Sequence, residues 1–189
     1  MPSAPSCPRP SPAPTDLAGT VEGALLEAHQ AVRERARQDA RLQDMGATAA
    51  AVLVWDRRAV IGHVGDCRVY HRHEDQFRQV TRDQTLVTRM VDLGKLSPQE
   101  AAHHPGRNEV TQALGKRARL EPGRAEVTLA HGDWLIVCCD GLYAHVNDAA
   151  LAKAVNEALL PADLADDLVK MADEGGGSDN CTVIAAFCC

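Results

Sequence analysis

The chain sorts its apolar residues into two periods that are segregated along the sequence rather than alternating. Residues 16–44 repeat apolar positions at Val21, Leu25, Ala28 and Val32 with charges between them, the spacing of a helix that buries one face. From residue 47 the period changes. Small and β-branched residues run through 47–55, a turn follows at Asp56-Arg57-Arg58, "AVIGHVGDCRVYHR" resumes as strand, and after a polar break at His73–Gln76 "FRQVT" completes what reads as an antiparallel meander. Two more strands flank His131-Gly132-Asp133 in 125–139, and "CTVIAAF" closes the series. Helical period returns at 83–101, where Gly94 ends one short helix and Ser97-Pro98 with Glu100 opens another. It returns again at 148–173, interrupted at Pro161. Segregation of this kind predicts an α+β fold with mainly antiparallel sheets, not a doubly wound parallel sheet.

A length of 189 residues with 45% apolar content is enough for one domain with a sizeable core, and with 3% aromatics that core is built mainly from Ala, Val and Leu. The first 15 residues, "MPSAPSCPRPSPAPT", are rich in Pro, Ser and Ala and lack the apolar stretch of a signal peptide, so they read as a disordered tail ahead of a domain at 16–189. A formal net charge of −6, with no basic stripe, argues against a nucleic-acid partner. No apolar run is long enough to span a membrane. The seven cysteines are odd in number and contain no CxxC, which fits buried free thiols in a reducing cytoplasm better than a disulfide framework. The pairs "HRH" (71–73) and "HH" (103–104) are too closely spaced for an ordinary structural zinc site, although His71 and His73 share one face of a strand.

Three carboxylates occupy comparable places. Asp66 follows Gly65 in "HVGDCRVY", Asp140 ends the apolar strand "WLIVCC" and precedes Gly141, and Asp179 lies in "GGGSDNC" just before the last strand. An Asp beside glycine at a strand end can accept backbone N–H groups in a turn. Several such residues that converge can instead serve as hard oxygen ligands for Mg²⁺ or Mn²⁺. One Asp-Gly favours the turn; three in the same setting favour a metal site.

The stretches "MGATAAAVLV", "GHVGDCRVYH", "VTRDQTLVTRMVDLGKLSPQEAAHHPGRNEVTQALG", "GDWLIVCCDGLYAHV" and "GGGSDNCTVIAAF", in that order over roughly residues 20–187, resemble the metal-dependent serine/threonine protein phosphatases of type 2C (PPM), particularly the bacterial ones. The resemblance implies an antiparallel β-sandwich flanked by helices, with an Mg²⁺/Mn²⁺ cluster at one edge. It implies hydrolysis of phosphoserine and phosphothreonine in proteins by a metal-activated water, without a covalent phospho-enzyme. Asp140 and Asp179 match two metal-ligand aspartates of the family. Asp66 matches the aspartate that helps hold a weaker third metal together with the residue at Asp140. Gly141 and Asn180 flank these positions, and residues 83–109 match a mobile flap beside the site. Substrate-binding residues are not singled out, and none of the histidines is marked as a general acid.

The family's upstream "NED"-type segment, with its phosphate-gripping Arg, and its "DGxGG" segment, with the Asp that bridges two metals, have no counterpart; Asp16 is followed by Leu17 and lies too close to "MGAT". The expectation is therefore a domain incomplete at its N-terminus: a mis-called start, a true truncation, or a half-domain completed by another chain. Two functional readings follow. One is a cytoplasmic phosphatase acting on phosphoproteins made by a Ser/Thr kinase. The other is a catalytically inactive pseudophosphatase that serves as a regulatory binding module. Loss of early strands also exposes sheet edges, which invites self-association.

Overall fold

The computed structural model describes residues 16–116 and 118–189; the Pro-rich segment 1–15, with Cys7, lies outside them. Helix α1 (Leu17–Gln38) starts where Asp16 accepts the Gly19 N–H at 2.9 Å, the N-cap interaction that satisfies a donor left without an intrahelical partner. Its stripe of Leu17, Val21, Leu25 and His29 is buried.

Strand β1 (Ala49–Trp55) turns through Asp56 (φ 53°) into β2 (Arg58–Val64), and β5 (Gly123–Thr128) pairs on the other side of β2, giving a three-stranded sheet ordered β1-β2-β5. The second sheet is ordered β4-β3-β6-β7, from β3 (Arg68–His73), β4 (Gln76–Gln79), β6 (Trp134–Cys138) and β7 (Val183–Phe187). Every strand pair is antiparallel. The single meander read from residues 47–81 is corrected here. The chain leaves the first sheet at Gly65 (φ 85°), a left-handed conformation that suits glycine, and β3 opens the second sheet. The 131–133 turn likewise joins strands of different sheets, so β5 and β6 are not partners.

Ala59, Ile61 and Val127 meet Val69 and Leu135 between the sheets. Helix α1 covers the outer face of the first sheet, with Val21 and Leu17 against Val60 and Leu25 with Val64. The outer face of the second sheet, Tyr70, Trp134, Ile136 and Cys138, is covered by Leu151 and Val155 of α5 (Asp148–Glu157) and by Leu164, Leu168 and Ala172 of α6 (Pro161–Glu174). The layers are therefore helix, sheet, sheet, helices. The two short helices read at 83–101 are present, the first starting three residues later: α2 (Leu86–Asp92) is capped by Thr85, and α3 (Pro98–Ala102) by a capping box between Ser97 and Glu100. No helix among the described residues is long and apolar enough to cross a membrane.

Candidate metal-binding edge

The antiparallel register carries the three aspartates to one edge. Arg68 lies opposite Cys138, so continuing that pairing by two residues brings Asp66 alongside Asp140. Cys138 lies opposite Val183, and beyond it the Cys139 N–H donates to the Thr182 carbonyl at 3.3 Å, which lays the segment from Asn180 onward against the end of β6. Gly141 fixes how close that approach is. A Cβ there would stand 2.2 Å from the Asn180 carbonyl oxygen, so only glycine lets the two segments meet.

Asp140 sits one step away from its expected place. Strand β6 stops at Cys138, and Asp140 opens the short helix α4 (Asp140–Tyr143), with its Oδ1 accepting the Gly141 N–H at 3.1 Å. Asp66 is 7% exposed. Burial first, and the negative charge of Asp140 second, raise its carboxyl above the usual carboxylate range, so the two acids share one electrostatic environment. Asp179 is different: it is exposed, and its Oδ1 accepts the N–H of its neighbour Asn180 at 2.7 Å. Among the described residues no group of three His, Cys, Asp or Glu side chains is arranged to hold one metal ion. The structure thus brings Asp66 and Asp140 together and leaves Asp179 on the adjoining loop, engaged with its own backbone.

Sequence reasoning missed the residues that hold this edge. His145 donates from Nδ1 to the Gly175 carbonyl at 3.1 Å, which leaves Nε2 to accept from Ser178, through its hydroxyl at 2.9 Å and its N–H at 3.3 Å. This histidine ties down the loop that carries Asp179, so its ring nitrogens are committed to position. The Tyr143 hydroxyl donates to the Asp66 carbonyl at 3.0 Å, and the Arg68 guanidinium lies 3.7 Å above the Tyr143 ring. Burial, then the charges of Asp66 and Asp83, push the Tyr143 phenol far up, so it stays a donor. Arg68 also grips both oxygens of Asp83, at 2.7 and 3.1 Å. Burial opposes its charge, and Asp83 overcomes that and keeps it protonated. Asp83 opens the 83–109 segment. Its neighbour Gln84 exchanges two bonds with Gly65, accepting the Gly65 N–H at 2.8 Å and donating its own N–H to the Gly65 carbonyl at 2.9 Å. Residues 83–84 and the Asp66 turn are therefore one bonded unit. The signal for Arg68 was in the sequence, two residues after Asp66; its partner fifteen residues on was not.

The zinc alternative at "HRH" has another explanation. His71 Nε2 and His73 Nδ1 contact the two oxygens of Asp133 at 2.9 and 2.8 Å, and Asp133 is 2% exposed. These histidines satisfy a buried carboxylate at the end of the sheet opposite Asp66.

A family model described as protein phosphatase 2C matches residues 9–173. The phosphatase PhpP of Streptococcus pneumoniae is 33% identical over 146 residues, which is 77% of this chain and 59% of PhpP. The serine/threonine phosphatase PstP of Mycobacterium tuberculosis is 32% identical over 173 residues, 90% of this chain and 33% of PstP. This chain therefore spans less than two thirds of the length of PhpP and about a third of PstP. Among solved structures, M. tuberculosis PstP/Ppp superposes with a TM-score of 0.85 at 32% identity, over 92% of this chain and 73% of that one. The PstP catalytic domain in complex with two manganese ions gives 0.82 at 30% identity, over 93% and 73%.

Proposed function

This chain belongs to the protein phosphatase 2C family, and we propose that residues 16–189 form the part of a phosphatase domain that carries the Asp66–Asp140–Asp179 edge, acting on phosphoserine and phosphothreonine in proteins. The observation that carries the reading is the register that sets Asp66 beside Asp140 at the end of β3 and β6, close enough that the Asp140 charge adds to burial in raising the Asp66 carboxyl. Hard oxygen donors of like charge, set close together, suit a divalent cation, and Mg²⁺ needs only one or two protein carboxylates because it keeps several waters. Asp140 and Asp66 would hold such an Mg²⁺ or Mn²⁺ ion, with Asp179 the ligand of an adjoining position and Gly141 and Asn180 setting the separation. When bound, the cation supplies positive charge to phosphoryl oxygens and acidifies water. The protein's own contribution is positional. Tyr143 and Arg68 fix the Asp66 turn, His145 fixes the Asp179 loop, and the Arg68–Asp83 pair anchors the flap (83–109) beside the edge. The substrate is a phosphoprotein, the product of a Ser/Thr kinase, met in the cytoplasm.

A second reading, a regulatory module that binds phosphoprotein without turnover, is favoured by one observation: the described residues do not assemble three metal-ligating side chains around one point. A single set of measurements separates the two. Mn²⁺ binding by electron paramagnetic resonance and hydrolysis of p-nitrophenyl phosphate and a phosphothreonine peptide are measured for the chain and for Asp140→Asn. Mn²⁺-dependent hydrolysis that Asp140→Asn abolishes supports the phosphatase. Folded chain that binds Mn²⁺ through Asp140 and turns over neither substrate supports the binding module. Folded chain whose Mn²⁺ binding is unaffected by Asp140→Asn sinks the assignment of this edge.

A further inference from the structure

The register that sets Asp66 beside Asp140 also sets two thiols opposite each other. Arg68 lies opposite Cys138, so one step further along the pair Cys67 falls opposite Cys139. Neighbouring bonds tell which kind of pair this is. The Val69 N–H donates to Thr81 Oγ1 at 3.0 Å and its carbonyl accepts the Val80 N–H at 2.7 Å, so Val69 turns its backbone groups towards β4 and away from β6. Cys67, two residues earlier, carries its groups the same way. On the other strand the Cys139 N–H donates to Thr182, away from β3. Cys67 and Cys139 are therefore a non-hydrogen-bonded pair, in which Cα atoms stand about 4.5 Å apart and side chains approach most closely. That separation lies inside the span of roughly 4.4–6.8 Å that a disulfide can bridge.

The two side chains share a face. Val69, Leu135 and Val137 pack between the sheets, and alternation along the strands puts Cys67 and Cys139 on the same side. Cys67 Sγ donates to Thr48 Oγ1 at 3.3 Å, one residue ahead of β1 in the facing sheet. Cys139 Sγ donates to the Asn180 carbonyl and accepts the Thr182 N–H, each at 3.2 Å. Both cysteines are free thiols, and thiol hydrogen bonds are weak, so rotation about Cα–Cβ can bring the sulfurs together without moving the strands. Cys138 and Cys181 belong to the opposite face, in the cluster under α5 and α6.

We propose that Cys67 and Cys139 form a reversible disulfide, a redox-sensitive modification site beside Asp66 and Asp140. With hydrogen peroxide as oxidant, one sulfur attacks as thiolate, the O–O bond breaks, and the departing hydroxide takes up that thiol's proton as water. The second sulfur then displaces the hydroxyl of the sulfenic acid, which leaves with the second thiol's proton as another water. Two thiols are oxidised and one peroxide is reduced. A dithiol reductant reverses the bond by exchange. Oxidation has a local consequence. It takes the Cys139 sulfur away from Asn180 and Thr182, so the segment that carries Asp179 loses two contacts, and it ties the residue after Asp66 to the residue before Asp140. Weaker cation binding at this edge follows, a consequence that rests on the metal role proposed above; the disulfide and the loosening of 179–182 do not.

The test uses the full chain, first reduced and then exposed to a graded series of hydrogen peroxide. Non-reducing peptide mapping by mass spectrometry should find Cys67 joined to Cys139, and dithiothreitol should release the link. Cys139→Ser should abolish it, and Cys181→Ser should keep it. Amide hydrogen exchange over 179–182 should rise about two- to tenfold when the parent is oxidised, the change that one lost hydrogen bond brings. Mn²⁺ affinity, read by electron paramagnetic resonance, should fall about tenfold or more on oxidation, as when a group supporting a metal ligand is lost, and recover on reduction. Folded, oxidised parent in which Cys67 and Cys139 stay unlinked, or are joined to other cysteines, overturns the proposal. So does a Cys67–Cys139 link that leaves exchange over 179–182 unchanged. A reduced chain that binds no Mn²⁺, yet forms the link and loosens 179–182, supports the disulfide and sinks only the metal role.

Discussion

Gly141→Ala should destabilise the protein even though it replaces glycine inside a helix. Gly141 lies in α4, so alanine's better helix propensity favours the variant by about 1 kcal/mol. Against that stands a steric conflict with no soft partner. The new Cβ would lie 2.2 Å from the Asn180 carbonyl oxygen, 2.8 Å from its carbon and 3.1 Å from the Cys181 Cα, all backbone atoms. Overpacking of this kind costs about 1–3 kcal/mol, and rigid backbone places it at the top of that range. Relief requires the 180–182 segment to move off the end of β6. That gives up the Cys139 N–H bond to Thr182 and weakens the bonds of the Cys139 thiol, at about 0.5–1.5 kcal/mol per hydrogen bond. The net expectation is a loss of about 3 kcal/mol, or on the order of 6–12 °C in Tm for a domain of this size. Gly23→Ala in α1 is the matched control. Nothing lies within 4 Å of its would-be Cβ, so it should gain up to about 1 kcal/mol. Urea unfolding followed by circular dichroism measures both. If Gly141→Ala is as stable as the parent while Gly23→Ala is stabilised, the close approach of Gly141 to Asn180 is wrong, and so is the placement of the Asp179 loop.

Leu168→Ala, at a fully buried position in α6 packed on the second sheet, should cost about 2–5 kcal/mol in urea unfolding, the range for removing a buried leucine. Arg68→Met should cost about 2–3 kcal/mol, below the full penalty for a buried unpaired charge because the Arg68 and Asp83 side chains remain 21% and 14% exposed; faster proteolysis within 83–109 would show that the Asp83 end of that segment has come loose. His73 is raised above its ordinary value of about 6.5 by its hydrogen bond to Asp133 and that residue's charge, so its contribution is complete below about pH 6.5 and is lost as pH rises through the raised value. Stability should therefore fall on going from about pH 6 to pH 8, and His73→Gln should flatten that slope. Asp133 works in the opposite sense. Burial raises its pKa, but the Ala130 N–H and the two histidines lower it further than burial raises it, so its contribution is lost at the acid end as pH drops through the lowered value.

What the sequence reveals and what it hides divide along physical lines. The capping box at Ser97–Glu100, the break at Pro161 and the helical stripe from Val21 to Val32 are local signals, and each reappears in the structure. Sheet membership is not local. The alternation in 58–73 reads the same whether the chain folds back beside β2 or crosses to the facing sheet, and only the contacts of β5 and β6, some sixty residues on, decide it. Helix α4, one turn long, is too short to show a period. The "HRH" pair needed Asp133 to be understood, and the Asp179 loop needed His145. In both cases the chemistry of one segment is completed by a residue that no spacing rule connects to it.

The same reasoning explains why the candidate site should respond to packing far from it. Asp66 and Asp140 meet only because β3 and β6 hold one register, and a slip of one residue would send either side chain to the opposite face of the sheet. That register is set by Tyr70, Trp134 and Ile136, buried under α5 and α6 on one face, and by Val69 and Leu135 between the sheets on the other. At the far end of the same strands, Asp133 joins His71 and His73 on β3 to the start of β6, pinning the pair there as well. The acidic edge is therefore the free end of a strand pair anchored in its middle by two cores and at its other end by a buried carboxylate. Loosening the anchor at Asp133 should let the β3–β6 pair fray towards Asp66, and under the proposed metal role Asp133→Asn should then weaken Mn²⁺ binding measured by electron paramagnetic resonance, although no residue of the anchor touches the site.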